Sequence, residues 1–159
     1  MSSANPRAVV RDAASKARLR LWLKLLKTSG SIEAELRRRL RDRHNTTLPR
    51  FDVMSALSRN PEGLKMSQLS QFLRVSNGNV TGIVDRLTED GLALRVAVPG
   101  DRRAQVAQLT PAGLAEFARL AAEHEAWIDE LMAGLALDEI TEMTALLEQI
   151  TLHAPEEKS

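Results

Sequence analysis

The sequence predicts a mainly α fold carrying one small β-hairpin, and three observations point there. Apolar residues recur at helical spacing through most of the 159-residue chain. One stretch breaks that period: Leu94, Val96 and Val98 alternate, Pro99-Gly100-Asp101-Arg102-Arg103 follows, and Val106 stands among small and polar residues. Long helical patterns occupy both ends, with short ones between them.

Met1 to Arg11 reads as a flexible basic arm (residues 1–11). From Asp12 to about His44, in a segment spanning residues 12–46, Leu19, Trp22, Leu26, Ile32, Leu36 and Leu40 share one side of a helix. Ser29-Gly30-Ser31 is a weak point where it can bend. At 1.5 Å per residue this rod is on the order of 50 Å long, more than a domain this small can cover, so part of its stripe needs a second subunit.

Pro49 opens a short helix with Phe51, Met54 and Leu57, closed by the turn Asn60-Pro61-Glu62-Gly63. Ser67 is expected to cap the next helix, with Leu69, Phe72 and Leu73 inward, and Val75-Ser76 turns the chain into a third. Two short helices joined this way form a helix-turn-helix, and with the hairpin they make a lobe over residues 47–110.

In the third short helix Val80, Ile83, Val84 and Leu87 repeat at i, i+3, i+4 and i+7, Ser76 is a good N-cap, and Gly91 can end it with a positive φ. Its outward side carries Gly78, Thr81, Gly82, Asp85 and Glu89, flanked by Asn79 and Arg86. The acids near its C-terminal end repel phosphates. The N-terminal half offers amides, a hydroxyl, glycines and the positive end of the helix dipole, which suits DNA. Asn77, Asn79 and Thr81 are expected to face bases, and Ser76, Gln68, Arg74, Arg86 and Arg102 to favour phosphates. The hairpin tip can enter a minor groove, where narrow segments concentrate negative potential.

Thr110-Pro111 starts the second long helix, with Leu114, Phe117, Leu120 or Ala121, His124, Trp127 or Ile128 and Leu131 in register. A last helix runs from about Asp138 to Leu152, its buried side expected at Ile140, Met143, Leu146 or Leu147 and Ile150. Residues 111–153 and 12–46 are thus the two long-helix segments at the ends of one domain, and the last six residues a frayed tail.

Composition narrows the function. Zero cysteines exclude disulfides, thiolate metal sites and thiol sensors. No long apolar run or signal-peptide pattern occurs, so no membrane is expected and the location should be cytoplasmic. The net charge of +1 hides an asymmetry: Arg7 to Arg50 holds thirteen basic and four acidic residues, Pro111 to Ser159 two basic and eleven acidic. No nucleophile pairs with a base, and His44, His124 and His153 lie at helix ends or on a helix face, so no enzyme is expected. His124 sits beside Glu123 and Glu125, but adjacent helical residues diverge, so no metal site is expected.

Ser76 to Leu92, the Asp-Arg-Arg at 101 to 103 and Leu109-Thr110-Pro111-Ala112-Gly113 resemble the winged helix-turn-helix regulators of the MarR family, from about Leu19 to Leu152. The departure is Asn and Gly in the recognition helix's first turns, where basic residues are frequent. The resemblance implies a homodimer clasped by its terminal helices on an inverted-repeat DNA site. It also implies that Asp101 holds Arg103, which enters the groove, while Arg102 lies nearer the backbone. No cofactor is implied beyond a small-molecule effector in a crevice lined by Trp22, Leu26, Arg50, Phe51 and Met54. Leu48 to Val53 and Val75 to Gly82 look most like the branch controlling aromatic-acid degradation, with aromatic acids or their CoA thioesters as inducers; the basic residues Arg18, Arg20, Lys24 and Lys27 of the first helix can receive CoA phosphates. Two other readings are a metal-responsive regulator and, given Asp85 and Glu89, a winged-helix interaction module that no longer binds DNA.

Overall fold

A computed structural model describes residues 6–73 and 76–152. Six helices and one hairpin follow in order among them: α1 (Pro6–His44), α2 (Leu48–Ser58), α3 (Met66–Leu73), α4 (Asn77–Glu89), β1 (Ala93–Val98), β2 (Asp101–Leu109), α5 (Pro111–Met132) and α6 (Leu137–Leu152). This is the mainly α fold with a small hairpin that the periodicities predict. Compact units divide inside α5, residues 1–121 and residues 122–159.

In the first unit the core belongs to the lobe. Phe51, Val53, Met54 and Leu57 of α2, Leu69 of α3, and Val80, Val84 and Leu87 of α4 are buried. Leu36 and Leu40, near the end of α1, join them from that helix. Thr47 caps α2 by accepting from the Arg50 backbone N–H at 3.3 Å, and Pro49 follows as its second residue, where a missing N–H costs nothing. Gly63, at φ 94°, swings the chain so that Leu64 and Ala107 exchange both backbone bonds, at 3.1 and 2.8 Å. The hairpin is thereby docked at its base.

The antiparallel ribbon pairs Ala93 with Leu109 through Ala97 with Gln105, then shifts register so that Val98 faces Asp101. Pro99 and Gly100, the latter at φ 86°, fill the positions that a type II turn gives to proline and glycine. At its other end the Thr110 hydroxyl donates to the Gly91 carbonyl at 2.7 Å and accepts from the Gly113 N–H at 3.0 Å, joining the exit of α4 to the entry of α5. In the second unit Trp127 is buried, while Leu137, Ile140, Met143, Leu146, Leu147 and Ile150 of α6 are exposed.

Several expectations are corrected. Helix α1 begins at Pro6, so the arm expected through Arg11 is helical from there; proline's fixed φ suits a first helical position. Residues 1–5 and the expected tail lie outside the described residues. At Ser29-Gly30-Ser31, expected as a point where the helix can bend, α1 continues, and the Ser29 and Ser31 hydroxyls bond back to the Leu25 and Lys27 carbonyls, at 2.8 and 2.9 Å. Ser67 lies inside α3 rather than capping it; the Gln68 side-chain oxygen instead accepts from the Lys65 N–H at 2.8 Å. Phe72, expected inward, is 68% exposed: α3 is a short helix whose buried line runs through Leu69. The apolar side of α6, which the resemblance assigns to the clasp between two copies, is exposed in the single chain.

Candidate nucleic-acid interface and effector cavity

Helix α4 presents its N-terminal turn outward because its apolar residues point the other way. With Val80, Val84 and Leu87 buried, Asn77, Gly78 and Asn79 are left exposed at the tip. The Ser76 hydroxyl accepts from the Asn79 N–H at 3.3 Å, which fixes the first turn and satisfies one orphan donor. Thr81 is half-buried, and its hydroxyl donates to the Asn77 carbonyl at 2.9 Å, leaving its lone pairs and methyl for a partner. Asn77, Asn79, Thr81 and Ser76 are therefore brought together as the spacing predicts.

The other predicted contacts are more dispersed. Gln68 uses its side-chain oxygen in the cap of α3, which leaves its amide hydrogens available. Arg86 lies on the flank, beside a groove that also touches Thr47, Pro49, Gly78, Asn79 and Gly82. At the hairpin tip the Asp101 carboxylate accepts from the Arg103 backbone N–H at 3.0 Å; its hold on that residue is through the main chain. Arg103 is exposed. Arg74 lies outside the described residues, as does the Arg102 side chain.

Two ion pairs at the lobe were not legible in the sequence. Asp85, one of the two acids on the outward side of α4, accepts from Arg95 of β1 at 2.6 Å. Asp90, just past the end of α4, pairs with Arg50 of α2. Both join residues on different elements, so only packing reveals them. In each case a carboxylate that would oppose an anion is already compensated.

Beneath α4 is a cavity of about 260 Å³ lined by His44 to Thr47, Arg50, Met54, Ile83, Arg86, Asp90, Leu92, Glu116 and Leu120. Two arginines face two carboxylates across it. Glu116 is held below the usual carboxylate range, chiefly by its hydrogen bonds with Arg119, which also approaches His44 Nδ1 at 3.1 Å. Of the predicted ligand residues, Arg50 and Met54 line this cavity. Phe51 is buried and packs on Phe117 at a ring-centroid distance of 5.5 Å, away from the lining. Trp22 and Leu26 do not line this cavity: they are exposed on α1, and twenty-two residues of helix place Trp22 about 33 Å along the rod from His44. Among the described residues no group of three or more His, Cys, Asp or Glu is placed to hold a metal, and no helix is long and apolar enough to cross a membrane.

Comparison with known proteins adds a family. Residues 44–104 match the family model described as "MarR family". The chain is 27% identical over 136 residues to the HTH-type transcriptional regulator MhqR of Bacillus subtilis, covering 86% of this chain and 92% of that protein. It is 27% identical over 107 residues to the homoprotocatechuate degradative operon repressor of Escherichia coli, covering 67% and 72%. A crystal structure of a MarR family transcriptional regulator from Silicibacter pomeroyi superposes with a TM-score of 0.72 at 36% identity, covering 87% of this chain and 95% of that one.

Proposed function

This chain belongs to the MarR family of transcriptional regulators, and from that premise we propose that it is a homodimeric repressor, released from an inverted-repeat operator by a small aromatic carboxylate. One observation carries the DNA-binding part. The first turn of α4 stands exposed with its amide side chains free, and the same lobe carries an exposed arginine at the tip of a two-stranded ribbon. Asn77, Asn79 and Thr81 read base edges, Ser76, Gln68, Arg74, Arg86 and Arg102 favour phosphates, and Asp101 sets the backbone from which Arg103 enters the minor groove. The dimer brings two such lobes to half-sites about one DNA turn apart.

The cavity supports the effector class. At about 260 Å³ it is near the lower end of the ~300–1,000 Å³ typical of ligand pockets and suits a single-ring acid; a CoA thioester would leave its nucleotide outside. A ligand carboxylate there can meet Arg86 directly or take Arg50 from Asp90. Taking Arg50 releases Asp90, which sits at the C-terminal end of the recognition helix. Such a ligand shifts the dimer away from its DNA-binding form only by its differential affinity for the two states. The relative that controls homoprotocatechuate degradation, an aromatic acid by its chemistry, supports this class of effector.

Fluorescence anisotropy with labelled DNA from beside the protein's own gene tests both parts. Arg103→Ala is expected to weaken binding and to lower the salt slope by about one, as the loss of one arginine from the DNA requires. An unchanged slope and affinity would remove the wing from the interface. Titrating the complex with free aromatic acids, their CoA thioesters and zinc separates the inputs: release by the acids is expected, and release by zinc alone overturns the effector class. Failure to bind any fragment at low salt favours an interaction module.

A further inference from the structure

The outward side of the recognition helix carries an acid where a DNA-binding surface should not tolerate one. Asp85 lies six residues after Asn79, about 9 Å along the helix, close to the ~8–10 Å over which exposed charges are felt at moderate salt. Its side chain is 55% exposed, so its charge is open to an approaching anion. What compensates it is Arg95, reaching from β1 at 2.6 Å with 31% of its own side chain exposed. Arg95 belongs to the docked half of the ribbon, opposite the fully buried Ala107, and several residues from the arginine tip. This single bond cancels the acid and ties the root of the wing to the helix. The pair thereby links the two elements that the proposed function brings to DNA.

We propose that Arg95 is a positioning residue for DNA binding, acting through Asp85 and touching no DNA itself. The inference rests on the DNA-binding reading of α4 and the wing. Loss of Arg95 leaves an uncompensated carboxylate facing the phosphates and frees the wing to tilt; loss of Asp85 removes the partner through which Arg95 acts.

A double-variant cycle decides the matter, with anisotropy on the same labelled fragment and a thermal melt for each protein. Arg95→Gln is expected to weaken binding about five- to tenfold near 0.1 M salt, the size of a like-charge penalty at a partly exposed site. Made in an Asp85→Asn background, the same change is expected to cost less than about twofold and to leave the salt slope where Asp85→Asn alone puts it. Arg95→Lys, which keeps the charge, should recover most of the affinity and guards against a simple folding defect. The proposal is overturned if Arg95→Gln costs the same in both backgrounds and lowers the slope by about one in each, for then Arg95 grips a phosphate directly. It is equally overturned if Arg95→Gln binds like the parent. A parent protein that binds no fragment at all defeats the DNA-binding reading first, whereas a parent that binds while the cycle shows no coupling defeats the role of Arg95 alone.

Discussion

Gly113 shows how closely one position can be dictated. A Cβ built there would lie 1.9 Å from the Leu92 carbonyl oxygen, a backbone atom that cannot step aside, at the seam where Thr110 ties α4 to α5. Gly113→Ala should therefore destabilise the protein by about 2–4 kcal/mol, read as a drop in urea midpoint, with no direct effect on the DNA-facing residues. A midpoint within error of the parent would show that the seam can open. Asp52 has a different signature. Burial on α2, with Glu33 nearby, raises its carboxyl above the ordinary value, and Arg37 only partly opposes this. Below the unfolded-state value both states hold the proton and no penalty applies; as pH rises from there through the folded-state value, the folded chain loses stability relative to the unfolded one. Asp52→Asn should thus raise the melting temperature at pH 7 and lose that advantage as pH falls towards about 4. A gain of equal size at both ends would mean that charge is not the cause. Residues such as Ser76 and Asn79 were legible because a cap is a bond across three positions. Asp85 with Arg95 and Arg50 with Asp90 were not, because their separations of 10 and 40 residues are closed only by packing.

Helix α4 carries two glycines on its outward side, and they weigh folding against function. Nothing lies within 4 Å of a Cβ built at Gly78 or Gly82, so neither is required by the packing of the chain. Gly82, in the helix interior, costs about 1 kcal/mol of helix stability relative to alanine, whereas Gly78 stands in the first turn. Gly82→Ala is expected to raise the melting temperature while weakening DNA binding, because a methyl group then stands where the helix must come close to the duplex. Improved stability with unchanged affinity would place that turn outside the contact surface. At this scale periodicity found every helix and the hairpin, and turn chemistry at Asn60 to Gly63 and Pro99-Gly100 marked the joints. The failures were at edges. Ser67 looked like a cap, but Gln68 reaching back to Lys65 started α3 two residues earlier, and in so short a helix the inward line passes Leu69 and leaves Phe72 outside.

Across the whole chain, the stripe on α1 is the largest feature that its own fold leaves uncovered. The helix has 39 residues, about 58 Å of rod, yet among those whose burial is described, from Asp12 on, only Leu36 and Leu40 are buried. Leu19, Leu21, Trp22, Leu23 and Leu26 remain exposed, as do the apolar residues of α6. The length argument anticipated this from the sequence, but the register of the second copy was beyond it, since no periodicity within one chain encodes contacts between two. In a two-fold dimer every interface residue occurs twice, so a substitution counts double. A large apolar side chain is worth about 1.5–3 kcal/mol when buried, and a charge in its place adds its own desolvation cost. Trp22→Glu or Leu146→Glu should therefore raise the dimer dissociation constant by at least about a hundredfold. Sedimentation at micromolar concentration would then find monomers, circular dichroism would find the helices intact, and the labelled DNA would bind weakly because one lobe reaches only one half-site. If both variants sediment as the parent does and bind DNA as tightly, these faces are not where two copies meet.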